Sequence, residues 1–524
     1  MELLDPEEEY HDLSTLVRAK AQKNLDRVAL RFSGQTVTYR ELDHLSDCVA
    51  TGLATSGIGA GDRVASILSN RPEFPVLWFA LSKLGALLVP LNTALRGELL
   101  EYELTDSGAK GAVVEEPYLD AFRAVRAGLP PMPVWTVTEG RPGADIEGAP
   151  FGNLLRLSDP PPDHTPEPWE PAEIIYTSGT TDRPKGVVLP HERLINTPRE
   201  VGLRAHLDPD STMFTALPLF HCNAQEKTAL VALLNDLTAT FDDRFHASTF
   251  WEHAAHFGAT HVALLTSMIS VLYKQPPKPT DRTHGVRFAL ASGTPNDIWS
   301  EFEGRFGIHV IESYGMTECG CTTIMNPPGA PRQGSVGTPL AFVEAQIVDD
   351  FDRPVPVGMA GELVVRPRQP FTMFSEYYRK PERTVESWRN LWFHTGDLLR
   401  ADPDGYYHFV DRKKDIIRRR GENIAPYDVE TVLNQHAAVF ESMVVAVPSE
   451  LGEDDVKAVV QRRDGAPVSA TELFEFAEER LPSFMVPRYI EFVDKIPKTV
   501  NQKAQRYLFR GRLTGKEIDR SGSA

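Results

Sequence analysis

The sequence predicts a large α/β N-terminal domain followed by a small α+β C-terminal domain. Three observations lead there. Strand-like and helix-like segments alternate through most of the chain, the pattern of α/β layers around largely parallel sheets. The 524 residues are too many for one hydrophobic core, so roughly two to four domains are expected. After about Asp411 the texture changes to a basic run, a helix carrying Val429, Val432 and Leu433, and the strands "MVVAVP" and "KAVVQ". A helix then opens at Ser469 with a capping box to Glu472.

Taken in order, "ALRF-SG-QTVTY" reads as a hairpin turning at Ser33-Gly34. Thr38 starts a capping box with Glu41. Leu42, Leu45, Val49 and Leu53 then form one apolar helical face that ends at Gly57. "RVASIL" reads as a strand. The longest apolar stretch, Phe74 to Leu91, is interrupted by Pro75, Lys83 and Pro90. It falls short of the ~20 mostly apolar residues of a membrane helix and reads as a core helix ending near Gly85, then a buried strand "LLVP". Two breaks punctuate the chain, the Pro-rich linker Ser158 to Pro171 and the segment Gln275 to Gly285.

Composition narrows the function. Hydrophobic content of 41% with 24% charged residues fits a soluble globular protein. The net charge of −18 disfavours nucleic acid as a partner. The N-terminus is acidic and shows no signal-peptide pattern, so the expected location is the cytoplasm, with no membrane partner. The four cysteines, Cys48, Cys222, Cys319 and Cys321, are too few for a disulfide framework. Cys319 and Cys321 lack a second Cys/His pair and read as small buried fillers.

The densest chemistry lies in "YTSGTTDRPKGVV", Tyr176 to Val188. Thr177, Ser178, Thr180 and Thr181 offer hydroxyl donors, Gly179 permits close backbone approach, and Lys185 adds a positive charge. Hydroxyls, backbone N–H groups and an ammonium are the parts of a polyphosphate cradle. The apolar flanks "EIIY" and "GVVL" read as strands, so the loop joins strand to strand. It is not a Walker A loop, because Gly186 rather than Ser or Thr follows the lysine.

Further stretches follow in order: "LPLFH" ending at His221, "ASGTP" from Ala291, "SYGMTE" from Ser313, "HTGD" ending at Asp397, "DRKKDIIRRRGENIAP" from Asp411, and "PKTVNQKAQR" with Lys503. In this order and spacing they resemble the core motifs of the AMP-forming acyl-CoA synthetase (adenylate-forming) superfamily over nearly the whole chain. "LFHCNAQ", "IIRRRGENI" and "NPPG" resemble the carnitine/crotonobetaine-CoA ligase type within it. The resemblance implies layered α/β subdomains plus a small β-rich subdomain over residues 1–413. It further implies a mobile C-terminal domain over residues 414–524, with a hinge near Lys414.

The resemblance also implies a reaction. A small acid and ATP give an acyl-adenylate and pyrophosphate, and coenzyme A then displaces AMP. Thr177, Ser178, Gly179, Thr180, Thr181 and Lys185 would cradle the β- and γ-phosphates. Thr317 would donate to the α-phosphate, and Glu318 would hold Mg²⁺ as a hard oxygen ligand. Ser292, Gly293, Thr294 and Tyr314, with Ser313, Gly315 and Met316 beside them, would form the adenine slot. Asp397 and Arg412 would bind the ribose. Lys503 would be the catalytic cation between carboxylate and α-phosphate. For His221 two readings stand, a wall of the acid pocket or a structural histidine.

The pattern departs from the family at three places. Asp182 stands where glycine is usual, and it is expected to face solvent or to pair with Arg183 or Lys185. Gln502 replaces a glycine beside Lys503. Arg420-Gly421 replaces a glycine pair and completes a run of three arginines, Arg418 to Arg420, which either meets the 3′-phosphate of coenzyme A or forms a solvated face. These departures keep a second reading open, an adenylating enzyme that passes its activated acid or nitrite to an amine without coenzyme A. A scaffold with dead chemistry is disfavoured by the presence of Lys503, Glu318, Asp397 and Arg412. Monomer and homodimer both stay open.

The substrate expectation rests on the segment after His221. Glu226 and Lys227 are adjacent and cannot share a helical face, so either one of them faces inward or toward the pocket mouth, or both point to solvent. A buried charge needs a polar partner. A small, polar or amino-bearing acid is therefore expected, with Asn223 or Glu226 setting the preference.

Overall fold

The computed structural model describes residues 10–139, 146–156, 164–177, 183–413, 415–419, 422–449, 454–498 and 504–520. The chain divides into two compact units. The first comprises Met1–Thr294, Ile298–Ala345 and Val365–Phe393. The second comprises Pro295–Asp297, Gln346–Val364 and His394–Ala524.

Among the described residues, the first unit is built on two large sheets. In the nine-stranded sheet the strands Val28–Phe32, Thr238–Phe241, Thr212–Thr215, His261–Leu265, Phe288–Ser292 and His309–Met316 run parallel in that spatial order. Antiparallel strands close its two edges, Gln35–Thr38 at one and Gly320–Met325 with Thr338–Pro339 at the other. In the eight-stranded sheet Arg63–Ile67, Leu87–Pro90, Gly111–Glu115, Val134–Val137 and Pro171–Thr177 belong to the parallel part. Lys185–Pro190 pairs antiparallel with Pro171–Thr177. The alternation of strand and helix predicts this layering, and the β-branched strands supply much of the buried core: Val89, Val114, Ile174 and Val188 pack together with Phe122 of the helix Leu119–Val125.

Local signals hold well. The Ser33-Gly34 turn joins Val28–Phe32 to Gln35–Thr38. Thr38 accepts from Glu41 N while the Glu41 carboxylate accepts from Thr38 N, and the helix Tyr39–Thr55 follows. The apolar stretch is a buried helix, Glu73–Lys83, followed by the strand Leu87–Pro90. No helix among the described residues is long and apolar enough to cross a membrane.

In the second unit a four-stranded sheet orders Val439–Pro448, Asp454–Arg462, Tyr489–Val493 and Ile518–Asp519. The helices Pro426–Asn434 and Ala470–Glu478 pack on it through Val429, Leu433, Leu473 and Phe474. Ser469 and Glu472 form the expected capping box. The strands Trp392–Ala401 and Tyr407–Arg412 pair antiparallel in a separate five-stranded sheet, the β-rich part of the fold.

Candidate functional site

The hydroxyl-rich loop joins two paired strands, as its flanks predict. Thr177 and Lys185 are cross-strand partners at its two ends. Lys185 Nζ lies 4.8 Å from the Tyr377 ring centroid. Arg183 Nη2 donates to Glu98 at 2.6 Å on the surface, so Arg183 has its own carboxylate. Ser178, Gly179, Thr180, Thr181 and Asp182 lie outside the described residues, and the orientation expected for Asp182 lies there with them.

Two parallel neighbours, Phe288–Ser292 and His309–Met316, carry the next two motifs, with Ala291 opposite Glu312. Glu312 is a buried acid within the run "HVIESYG". Its carboxylate accepts from the backbone N–H of Gly293 and of Thr294 and from the Thr294 hydroxyl. Burial pushes the Glu312 carboxyl up, against the pull of these donors. The bonds fix the turn in which Gly293 adopts φ +83°, and a side chain there would strike Thr266. Ser292, Gly293 and Thr294 are thus locked to the strand that leads into Ser313, Tyr314, Gly315 and Met316. Tyr314 is buried. A side chain at Gly315 would run into the backbone carbonyls of Gly320 and Cys321, so the close strand return requires glycine there.

Thr317 and Glu318 occupy the turn between His309–Met316 and Gly320–Met325. Glu318 therefore stands in a strand–turn–strand, not at a helix N-terminus. Its carboxylate accepts from the Tyr377 hydroxyl at 3.0 Å, and its carbonyl accepts from Phe374 N at 2.9 Å. Burial, and then the nearby Glu318, push the Tyr377 phenol up, so it remains a donor. Among the described residues no group of three or more His, Cys, Asp or Glu side chains is arranged to hold a metal. Glu318 offers a hard oxygen that suits Mg²⁺ shared with phosphate oxygens.

The segment after His221 differs from the orientation expected for Glu226 and Lys227. Asn223–Leu230 is a π-helix. Glu226 and Lys227 are both buried, so neither faces solvent. The physical reason is that this helix is enclosed all round, with Ala224 to Leu234 buried without a break. Glu226 needs no substrate group as partner: Arg193 Nη1 donates to its Oε1 at 2.5 Å. Arg193 Nη2 also donates to the Thr317 carbonyl at 3.0 Å. Burial pushes the Glu226 carboxyl up, and Arg193 opposes that. Gln225 Nε2 donates to Glu173, another buried acid, at 2.7 Å. Lys227 Nζ donates to Ser292 and Ser313 at 2.9 and 2.8 Å. Asn223 Oδ1 is buried without a donor among the described residues. His221 is part-buried against Phe220, ring centroids 4.6 Å apart.

Cys319 and Cys321 are buried, as expected of small fillers, and burial pushes the Cys319 thiol up to about 12. Cys222, beside His221, has its Sγ 3.8 Å from Thr317 Oγ1.

In the second unit Asp397 and Arg412 are cross-strand partners, with Arg412 Nε 3.6 Å from Asp397 Oδ1. Lys503 and Gln502, Lys414 where the hinge is expected, Arg420 and Gly421 lie outside the described residues, as does the Arg418 side chain. Sequence reasoning missed Arg193, Glu173 and Glu312. Glu312 and Glu173 each left a signal, a lone acid inside an otherwise largely apolar strand.

The model of the family described as AMP-binding enzyme matches residues 17–378, and that of the AMP-binding enzyme C-terminal domain matches residues 428–503. A crotonobetaine/carnitine–CoA ligase of Salmonella paratyphi A is 33% identical over 493 residues, 91% of this chain and 95% of that protein. Among solved structures, ATP-bound MatB from Rhodopseudomonas palustris is 27% identical with a TM-score of 0.86, covering 96% of this chain and 98% of that one. The o-succinylbenzoate CoA synthetase of Bacillus subtilis, in complex with its acyl-adenylate intermediate, is 26% identical with a TM-score of 0.81. That match covers 95% of this chain and 98% of that one.

Proposed function

The chain belongs to the AMP-binding enzyme family, and from that premise we propose how its residues divide the work of an AMP-forming acid–thiol ligase. Such a ligase joins an acid to ATP with release of pyrophosphate, and the thiol of coenzyme A then takes the acyl group and frees AMP. The observation that carries the assignment of roles is the Glu312 lock. It holds Gly293-Thr294 and the strand Ser313–Met316 as one rigid body that leads into Thr317 and Glu318.

The first half-reaction is a charge problem, because a carboxylate must approach an anionic α-phosphate. Preorganised donors and cations lower that barrier without reorganising during the reaction. Thr177 and Lys185, held opposite each other by strand pairing, take the terminal phosphates. The Thr317 hydroxyl addresses the α-phosphate, and Arg193 fixes its backbone from behind through the carbonyl. Glu318 would hold Mg²⁺ from this chain, and the ion would supply charge neutralisation at the phosphates. Tyr377 orients that carboxylate. Ser292, Gly293, Thr294 and Tyr314 form the adenine slot. Asp397 and Arg412 bind ribose hydroxyls, and Lys503 supplies the cation at the reacting atoms.

Coenzyme A is the acceptor in this reading. The compared relatives named as CoA ligases support it over an amine acceptor. The test is pyrophosphate release and thioester formation across a panel of acids and nitrite, with and without coenzyme A. Thioester that appears only with ATP, acid and coenzyme A together is expected. Adenylation whose product forms on amines and never on coenzyme A would refute it.

A further inference from the structure

The helix Gly97–Asp106 sets three polar side chains on one face, Glu98, Tyr102 and Asp106, spaced four residues apart. Its other side is fixed in the core, where Leu100 and Leu104 are buried in one cluster with Val114 and Val188. The three polar side chains reach the residues that bracket the hydroxyl-rich loop, at both of its ends. At the entry the Tyr176 hydroxyl donates to Asp106 Oδ2 at 2.7 Å. Burial, and then Asp106, push the Tyr176 phenol up, so it stays a donor. At the exit the Tyr102 hydroxyl donates to the Pro184 carbonyl at 3.0 Å. Arg183, one residue earlier, pairs with Glu98 and lies 5.1 Å from the Tyr102 ring centroid.

Lys380 joins the two anchors. Its ammonium donates to the Tyr102 hydroxyl at 2.7 Å and to Asp106 Oδ1 at 3.2 Å. The segment that brings it there runs beside the exit strand. Tyr377 pairs with Val187, and Tyr378 N donates to the Gly186 carbonyl at 2.8 Å. The same segment carries the Tyr377 hydroxyl to Glu318.

Strand pairing alone does not fix the mouth of the loop. The ladder between the flanking strands ends where Thr177 faces Lys185. Pro184, the next residue outward, has no N–H with which to extend it. Its carbonyl is held by Tyr102 instead. A bare Asp106 carboxylate beside a polyphosphate site would repel the nucleotide. Lys380 offsets that charge while both hydrogen bonds to the loop ends stay in place.

We propose that Tyr102 and Asp106 are positioning residues for the β- and γ-phosphates of ATP. The helix Gly97–Asp106 fixes the separation of Tyr176 and Pro184, and with it the way the adjoining Thr177 and Lys185 meet those phosphates. Neither Tyr102 nor Asp106 touches the nucleotide. This deepens the ligase reading above and rests on it, because that reading gives the loop to ATP.

The test compares ATP with AMP, which lacks the two phosphates. Affinities of wild type, Tyr102→Phe, Asp106→Asn and Asp106→Ala for each nucleotide are measured by calorimetry with magnesium and without acid. Tyr102→Phe keeps the ring and loses the hydroxyl. It should weaken ATP by about 3–10-fold, the scale of one hydrogen bond, and leave AMP unchanged. Asp106→Ala should weaken ATP more than Asp106→Asn, whose amide oxygen can still accept from Tyr176. In pyrophosphate exchange the KM for ATP should rise and the KM for the acid should not. Thioester formation from preformed acyl-adenylate should match wild type. Variants that weaken ATP and AMP by the same factor assign the cluster to packing alone and overturn the proposal. Tyr102→Phe and Asp106→Ala that both bind ATP as wild type does also overturn it. Wild type that supports no acid-dependent exchange with any acid of the panel overturns the ligase reading, an outcome distinct from active wild type matched by its variants.

Discussion

Arg193 and Glu226 meet with both side chains fully removed from solvent, Nη1 to Oε1 at 2.5 Å, and the same guanidinium holds the carbonyl of Thr317. The pair ties the π-helix Asn223–Leu230 to the turn that carries Thr317, the proposed α-phosphate donor. Removing one partner strands the other charge in the interior.

Glu226→Ala should therefore destabilise the protein by about 3–5 kcal/mol, the usual scale for breaking a buried pair from one side. Urea unfolding measures it. The double variant Arg193→Met, Glu226→Leu should recover much of the loss, because apolar groups of similar volume carry no desolvation penalty. A Glu226→Ala protein as stable as wild type, with its acid preference shifted toward apolar acids, would return Glu226 to the substrate.

Asp411, directly before Arg412, makes a pH prediction. It is 5% exposed and accepts from Arg412 N at 2.7 Å and Tyr427 N at 3.2 Å. Burial nevertheless pushes its carboxyl up to about 6 from 3.8. The native state thus holds the proton more tightly than the unfolded chain. The resulting stability is full below the unfolded value and is lost as pH rises through the folded one. Between about pH 4 and pH 6, wild type should lose stability relative to Asp411→Asn by roughly 1.4 kcal/mol per pH unit. Above about pH 6 the difference should be flat. Paired denaturation curves give the slope, and a difference constant from pH 4 upward would show that Asp411 is not perturbed.

What the sequence made legible was local. The Ser33-Gly34 hairpin, both capping boxes and the strand–loop–strand around Lys185 each depend on residues a few positions apart, and each is present. The polar network behind the site joins residues far apart in sequence: Arg193 to Glu226, Gln225 to Glu173, Lys227 to Ser313. Those pairings depend on strand order, which periodicity does not encode. The error over Glu226 and Lys227 has the same origin. Adjacent residues point apart on any helix, but solvent lies on one side only if the helix is at the surface, and this one is enclosed.

Lys414 stands where the family places its hinge, and it lies outside the described residues. Closures of this kind concentrate large backbone changes in a few residues. Lys414→Pro fixes one φ angle. It should leave pyrophosphate exchange near the wild-type rate and slow thioester formation from the same acid. Equal loss in both half-reactions would place the hinge elsewhere.

Lys503 carries the sharpest functional expectation. The family motif assigns its ammonium to the space between the attacking carboxylate and the α-phosphate, where negative charges are forced together. An interaction that strengthens as the reaction proceeds lowers the barrier instead of merely tightening binding. Loss of one such donor typically costs about 10²–10³ in rate. Lys503→Ala should therefore lose pyrophosphate exchange by at least that factor while its unfolding curve stays that of wild type. The second half-reaction offers the control. A preformed acyl-adenylate needs no help at the α-phosphate from this lysine, so the variant should still convert it with coenzyme A. Exchange at the wild-type rate would remove Lys503 from the chemistry. Equal failure with preformed adenylate would mean that its role extends to the thiol step.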